Sequence, residues 1–547
     1  MRDTTLHAAL DKVAADSPEV VVGFPAERID LRLDTLSRDS ARVAARFRDL
    51  GVGAGDRVGV LCTNEPDFLL VLFALSRLGA CVCPLPLPTR ADDGGYVAKA
   101  QSVLVDGGVR DVVVSRRLRR YGPFLDEVFQ GVRRIPAEEL LDLDAAVDGV
   151  DGDGVTADRD IILQYTSGST ANPKGVRLTH RNVQTCMQAI RTGIDLPQPG
   201  DRTAIWLPLF HDMGLFGTLT SILTGVSATV WQPAAFVKDP ANWLREFADG
   251  GYTIAPLPNF GYDYLLRAVE AEEVTSYDLS RWRVAFNGAE PIAVDSVEAF
   301  LTHFAPAGFV QEAMMPVYGL AEATLAVTFP PLRRGPRAEW VDRASLSDEG
   351  VAVPVARDVP GARGLLSVGM PVLGMEVRVG DADGAPVPDR TVGEVQIRGG
   401  SVTEGYVDDE GAVTQPFTPD GWLRTGDLGY LADGELFVTG RSKEMIIIRG
   451  ANFYPDDVES AVRNDPAVHR RRCVAFVDDR GDAERMVLVA ETTADAGDHP
   501  ALAARLRGVI RSATGLDDVH VVPVAPRSIP RTSSGKLQRL ATRSLFR

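Results

Sequence analysis

The chain has 547 residues, 45% of them hydrophobic and 24% charged, with 52 glycines and 35 prolines spread along it. That composition excludes a disordered chain, a collagen and a linker-type protein, and the length calls for two or more structural units. The formal charge of −17 argues against a nucleic-acid partner, which needs a basic face.

The basic runs 116–120, 333–337 and 470–472 are short and read as solvated surface. Only six of the 58 cationic residues are lysine: Lys12, Lys99, Lys174, Lys238, Lys443 and Lys536. Such avoidance of lysine reads as a base-composition bias of the genome and makes the six positions worth locating. Cys62, Cys81, Cys83, Cys186 and Cys473 form no CxxC pair. They read as small buried apolar side chains in a reducing cytosol. The seven histidines show no zinc spacing. The first residues lack the apolar core of a signal peptide. The longest apolar run, 68–75, is far short of the ~20 residues that cross a bilayer. The expectation is a cytoplasmic protein without a membrane span.

Short β-branched runs alternate with helical patterns along the chain. Residues 57–62 predict a buried strand, and 67–78 a helix with apolar residues on more than one face. Residues 111–115 and 160–163 predict further strands. This alternation predicts an α/β fold of layered sheets and helices, without a repeat of fixed period. Residues 148–158 are acidic and Gly-rich and read as a loop. Residues 330–363 are rich in Pro, Arg, Asp and Ser and read as an insertion with one short element at 340–346. The character changes after about 438. A polar break, Gly440-Arg441-Ser442-Lys443-Glu444, leads into a strand at 445–449 and a helix from Asp456. The organisation expected is a large N-terminal domain over 1–440 and a small α+β C-terminal domain over 441–547.

The strongest chemical signal is Tyr165-Thr-Ser-Gly-Ser-Thr-Ala-Asn-Pro-Lys174-Gly175. Thr166, Ser167, Ser169 and Thr170 around Gly168 offer N–H and O–H donors to a polyanion, and Lys174 adds a positive charge. It is not the GxxxxGK[ST] loop: Pro173 stands where that motif needs glycine, and Gly175 where it needs Ser or Thr. On chemistry alone, a polar turn between strands remains the alternative.

The string resembles the phosphate loop of the adenylate-forming superfamily of acyl-CoA synthetases, peptide-synthetase adenylation domains, luciferases and fatty acyl-AMP ligases. The resemblance continues in order. Pro316-Val-Tyr318-Gly319-Leu-Ala-Glu322-Ala-Thr324 resembles the adenine and metal motif. Gly421-Trp-Leu-Arg-Thr425-Gly426-Asp427 resembles the ribose motif. Gly440-Arg441-Ser-Lys443 resembles the hinge, and Pro530-Arg-Thr-Ser-Ser-Gly535-Lys536 the catalytic lysine loop. The resemblance implies use of ATP and Mg2+. Lys536, carried on a small mobile C-terminal domain, would neutralise the α-phosphate, and Glu322 would hold the metal, which favours one or two carboxylates plus phosphate oxygens. Asp427 and Arg441 would bind ribose, and Tyr318, beside Gly319, would stack on adenine. Residues 166–174 would cradle the leaving pyrophosphate.

Within that superfamily the chain is most similar to the fatty acyl-AMP ligases. Trp206-Leu-Pro-Leu-Phe-His211-Asp212-Met-Gly-Leu215 resembles their WLPLYHDMGL segment, which implies that His211 lies beside the acyl carboxylate. Pro258-Asn-Phe-Gly-Tyr-Asp263 and Asn287-Gly288-Ala289-Glu290-Pro291 resemble two more of their segments, the second lining the nucleotide pocket. Asp263 could also be read as an ammonium-binding aspartate, although the FDxS context of amino-acid adenylation domains is absent. Forty-six residues separate Glu322 from Gly369, so segment 330–363 resembles the insertion that packs on the small domain in that branch. Residues 446–455 resemble its IIIRGRNHYP, with Ala451 and Phe453 as departures.

The resemblance implies activation of a fatty or related carboxylic acid to acyl-AMP. The acyl group would then pass to the phosphopantetheine thiol of a separate acyl carrier protein, since no carrier-type serine helix follows Lys536. An acyl-CoA synthetase, an amino-acid adenylation enzyme and a non-catalytic nucleotide-binding relative are the alternatives.

Overall fold

Strands buried on both faces read as near-continuous Val, Ile and Leu runs, because parallel sheets are covered on each side. The computed structural model describes residues 3–88, 94–142, 148–165, 174–407, 413–414, 416–448, 451–478, 485–531 and 537–546, and those runs form two large sheets. One has seven strands, in the order Met314–Pro316, Val284–Asn287, Ile254–Leu257, Arg202–Ile205, Ser227–Val230, Val21–Phe24, Ile29–Arg32. All neighbours are parallel except the last pair. The other has eight strands. Its parallel part runs from Asp160–Tyr165 through Cys81–Pro84, Arg57–Leu61 and Asp111–Val114 to Arg133–Pro136. Gly175–Thr179, Tyr406–Val407 and Val413–Thr414 extend it antiparallel.

Helix Pro66–Leu78 is buried on nearly all sides, as its apolar residues on more than one face predict. Helix His180–Gly193 starts on a capping box in which Thr179 and Asn182 satisfy each other's backbone N–H. A third, antiparallel sheet joins Met375–Gly380, Gly393–Gly399, Leu423–Ala432 and Glu435–Arg441.

Residues after Arg441 build a smaller α+β unit. Its sheet is Cys473–Asp478, Arg485–Glu491 and Val519–Val524. Successive strand residues point to opposite faces. Cys473, Ala475, Met486 and Leu488 meet helices Pro455–Arg463 and His499–Thr514, while Val474, Phe476, Val487 and Val489 pack with Ile529 and Phe546. All five cysteines are buried and unpaired. No helix among the described residues is long and apolar enough to cross a membrane.

Residues 148–158 carry no regular element. Segment 330–363 is more ordered than its composition suggests. Ala338–Asp342 pairs antiparallel with Ala362–Leu366. Val341, Leu346, Ala352 and Leu365 pack on Tyr430, Ala432 and Phe437 of the third sheet. The strand's partner lies beyond the polar stretch, so local periodicity could not reveal the pairing.

Near the N-terminus two histidines are buried together. Thr5 Oγ1 lies 3.0 Å from His7 Nε2, and Ser76 Oγ 2.9 Å from Nδ1. His180 Nδ1 accepts the Leu6 N–H at 3.1 Å. Burial, helped by the Arg77 charge, lowers the pKa of His7 from 6.5 to about 4. Burial, helped by His7, lowers that of His180 to about 3. The unfolded chain therefore binds more protons than the folded one between pH 6.5 and 4. The stabilisation is complete above pH 6.5 and is lost as pH falls through that window, by roughly 3 kcal/mol for His7. Thermal unfolding between pH 7 and 4.5 should show a midpoint that falls with pH. His7→Gln should flatten that slope, and an unchanged slope would refute the account.

Candidate active site

In parallel α/β sheets the loops at the strands' C-terminal ends form the binding crevice. Here those loops carry Phe210 and His211 after Ile205, Asn259 and Phe260 after Leu257, and Ala289 and Glu290 after Asn287. Opposite them stand Gln164, Tyr165, Lys174 and Tyr406 of the eight-stranded sheet, and Thr425, Asp427 and Arg441 of the third sheet. The small unit closes the space with Arg471, Arg472, Ile529, Arg531 and Leu537. The cavity measures about 2290 Å³.

One end is built from paired charges. Asp427 and Arg441 face each other across neighbouring strands, with Arg441 Nε donating to Asp427 Oδ1 at 3.0 Å. Tyr318 donates its hydroxyl to Asp427 Oδ2 at 2.6 Å. Burial, then the Asp427 charge, pushes the Tyr318 phenol well above its ordinary range, so it stays a donor. The carboxylate keeps lone-pair sites for further donors.

Glu322 lies nearby, in the short turn Ala321–Ala323. Its Oε1 accepts the Tyr406 hydroxyl at 2.7 Å. Burial pushes the Glu322 carboxyl above its ordinary range, and the Tyr406 bond pulls the other way. The same Tyr406 ring has the Lys174 ammonium 4.7 Å from its centroid, a cation–π contact. Tyr406 thus bridges the lysine of the loop motif and the buried acid. The local backbone is tightly fixed. Thr403 N–H donates to Glu322 O at 2.7 Å, and Thr324, with φ +67°, donates its hydroxyl to Ser401 O at 2.8 Å. A Cβ on Gly319 would come within 1.9 Å of Leu325 O, so only glycine fits.

The other end is apolar and begins at His211. This residue precedes helix Asp212–Leu223, and its Nδ1 lies 2.6 Å from Asp212 Oδ1. Glu290 Oε1 accepts the Phe260 N–H at 2.6 Å in the first turn of helix Asn259–Ala268, where a negative charge is favoured. Ala289 has φ +67° beside it. Gly288 is packed against Val317, where a Cβ would meet Cγ2 at 2.8 Å.

Lys174, His211, Ala289, Glu290, Tyr318, Gly319, Glu322, Asp427 and Arg441 therefore line one cavity, and Gly288 lies just behind its wall. Thr166, Ser167, Gly168, Ser169, Thr170 and Lys536 lie outside the described residues. Tyr406 was missed by the sequence reading. Its only signal is an aromatic residue after Gly405, with nothing local to say that it faces both Glu322 and Lys174.

A model of the AMP-binding enzyme family matches residues 11–407. A Caulobacter vibrioides protein provisionally named an acyl-CoA synthetase is 34% identical, covering 99% of this chain and 95% of that protein. The long-chain-fatty-acid–AMP ligase FadD32 of Mycolicibacterium smegmatis is 33% identical, with 94% and 89% covered. A solved structure from work on fatty acyl-adenylate ligases of E. coli and L. pneumophila superposes with a TM-score of 0.89 at 31% identity, covering 99% of this chain and 97% of that one.

The chain belongs to the AMP-binding enzyme family.

In this AMP-binding enzyme the small unit is held over the cavity by buried ion pairs. Asp457 on helix Pro455–Arg463 pairs with Arg363 at 2.7 Å and Arg343 at 2.9 Å, both from the 330–363 segment. In the reverse sense, Arg471 of the small unit donates to Asp263 at 2.5 Å and to Ser296 Oγ at 3.0 Å. Arg472 and Arg531 each donate to Tyr264 Oη at 3.3 Å. Burial alone would raise the Tyr264 phenol, but these guanidiniums outweigh it and lower it. Asp263, read from sequence as an alternative ammonium site, is thus taken by a guanidinium of the same chain.

Arg470 and Arg471 adopt left-handed φ of +53° and +57° to reach this position, a strain that contacts must offset. Asp263→Asn and Arg471→Ala should each speed proteolysis near residues 440–445. A double-mutant cycle should give a coupling of about 0.5–3 kcal/mol. Wild-type protection in both single variants would show the pair to be idle.

Proposed function

We propose that this enzyme uses ATP to convert a fatty or related carboxylic acid to acyl-AMP, with release of pyrophosphate. The acyl group then passes to the phosphopantetheine thiol of a separate acyl carrier protein. The observation that carries this reading is the single cavity, which joins an apolar channel behind His211 to the charged end at Lys174, Glu322, Asp427 and Arg441. An acid carboxylate and a nucleotide phosphate can meet where the two ends join.

The chain's residues supply three things. Asp427 and Arg441 hold the ribose, and Lys174, released from the Tyr406 ring, holds the phosphates as a compact point charge. His211, fixed by Asp212, orients the carboxylate whose oxygen attacks the α-phosphorus, while the bond to the pyrophosphate oxygen breaks. Lys536 is the cation we assign to the charge that builds on the α-phosphate. The mixed anhydride then accepts the thiol sulfur, AMP departs, and positioning suffices for that half.

Glu322 fits a Mg2+ site. Among the described residues, no cluster of three or more His, Cys, Asp or Glu could hold a metal by itself. A buried single carboxylate therefore suits an ion whose other ligands are phosphate oxygens and water. Bound there, Mg2+ would neutralise phosphate charge.

Two observations favour the carrier-protein acceptor and the fatty substrate over the rival readings. The pairs of Arg343 and Arg363 with Asp457 oppose rotation of the small unit, which a CoA tunnel would need. The Arg471 pair leaves no bare Asp263 for a substrate ammonium.

Incubation with ATP, a carboxylic-acid panel and either CoA or holo carrier protein tests the reading. Acyl-adenylate and acyl-carrier should form, with little acyl-CoA. Efficient acyl-CoA without acyl-carrier would make it a CoA synthetase, and pyrophosphate exchange with amino acids only would make it an amino-acid enzyme. Tight ATP binding with no adenylate from any acid would mark a non-catalytic relative. Lys536→Ala should lose most adenylation, about 10²-fold or more, while ATP binding measured by calorimetry stays close to wild type. Near-native adenylation in that variant would refute the role of Lys536.

A further inference from the structure

The basic run 470–472, which composition alone places on a solvated surface, turns inward. Arg470, Arg471 and Arg472 line the cavity at the seam of the two units, together with Arg267 and Arg531. Arg471 meets Asp263, and Arg472 and Arg531 converge on Tyr264. Arg267 lies one turn beyond these two partners on the same face of helix Asn259–Ala268.

Carboxylates do not match these guanidiniums. Asp263 takes Arg471 at 2.5 Å, and Glu491 takes Arg472 at 3.2 Å. Arg267, Arg470 and Arg531 pair with no carboxylate among the described residues. Tyr264 Oη is the common acceptor of Arg472 and Arg531, both at a long 3.3 Å. His469, beside the run, feels the same excess: burial, then Arg472 and Arg470, lower its pKa against the pull of Glu491.

Solvation accounts for Arg267 and Arg470, which are exposed, but not for the other two. Arg531 is half-buried. Arg472 is 7% exposed, and its Nε–H has no partner among the described residues. A buried donor without an acceptor is costly, and so is a buried cation short of counter-charge. Guanidinium forks suit phosphate oxygens.

The nucleotide is assigned to Asp427, Arg441 and Lys174, so this cluster is free for a second phosphate. Phe260, whose N–H meets Glu290, and Arg267 are seven steps apart on one helix, about 10 Å. About thirteen bonds separate phosphorus from sulfur in phosphopantetheine, which is about 15 Å when extended. A phosphate held by the arginines therefore lets the thiol pass Phe260 into the cavity, while the exposed side of the cluster faces the body of a carrier.

We propose that the arginine cluster at the seam binds a phosphate ester, the one that carries the phosphopantetheine arm, and so sets where the arm enters. The proposal rests on the acyl-transfer reading of the site and adds to it the subsite of the second substrate.

The test measures discharge of the acyl-adenylate by pantetheine, 4'-phosphopantetheine and a holo acyl carrier protein, each with and without inorganic phosphate. In wild type, KM for 4'-phosphopantetheine should lie about tenfold or more below that for pantetheine. Inorganic phosphate should raise the first KM and not the second. Arg267→Gln and Arg531→Gln should each bring the ratio of the two towards one and raise KM for the holo carrier, and Arg267→Lys should keep part of the ratio. A cluster that only closed the seam would change both small thiols alike and leave the ratio unmoved. Equal KM values in wild type, or a ratio unmoved in both glutamine variants, overturn the inference while leaving acyl transfer intact. Weaker inhibition by inorganic phosphate in those variants with no change in KM for the holo carrier also overturns it, since the site then serves free phosphate. Discharge by none of the thiols overturns the acyl-transfer reading, and the inference with it.

Discussion

The small unit is seated over the cavity by Asp457, buried between two guanidiniums. The small unit contributes only part of the wall, yet without it the charged end would open to solvent. A carboxylate at this depth is costly unless paired, and removing one partner leaves an uncompensated charge. Asp457 has Arg363 and Arg343 on the insertion side, and Arg363 also stacks its guanidinium 4.9 Å from the Tyr454 ring centre. The opposite flank repeats the device with the signs exchanged, through Arg471 and Asp263. Rotating the small unit must break both pairs together. Burial alone would permit many placements; two buried pairs of opposite polarity specify one.

The same logic runs inside the cavity. On the proposed function Lys174 meets a polyanion and Glu322 a cation, so both need charge that is available and positioned. Lys174 is exposed, whereas the half-buried Glu322 carboxylate is short of water before any ligand arrives. Tyr406 fixes both with one side chain: its ring faces the ammonium and its hydroxyl reaches the carboxylate. Asp427 is treated likewise by Tyr318 and Arg441. The groups are thus held near their working positions, the condition under which fixed charges cost no reorganisation during reaction.

Sequence made the regular elements legible where hydrophobic period decides them. The strand read at 57–62 is Arg57–Leu61, and the helix read at 67–78 is Pro66–Leu78. Resemblance named motif residues, such as Glu322 and Asp427 at fixed distances from glycines, that the structure brings to one cavity. Partners across long loops were not. Arg471 and Asp263 are 208 positions apart, and Tyr406 and Glu322 84. No local pattern encodes such a meeting. The insertion shows the same limit: its hairpin strand at Ala338–Asp342 needs Ala362–Leu366, on the far side of a stretch whose composition reads as loop. Of the three lysines in the motifs, Lys174 gains a definite place over an aromatic face, 4.7 Å from the Tyr406 ring centre.

The hydroxyl residues of the channel helix look at first like a polar lining, and their bonds decide otherwise. Thr218, Thr220 and Ser221 each donate to the carbonyl four residues back, at 2.8, 2.7 and 3.1 Å. That back-bonding satisfies them within the helix and leaves the carbon atoms of Thr220 and Ser221 to the channel. Thr203 is met by the same helix: its hydroxyl lies 2.9 Å from Ser221 Oγ, which can accept its proton while giving its own to Gly217 O. A hydroxyl in an apolar site therefore says little about the ligand once the protein itself supplies its partner.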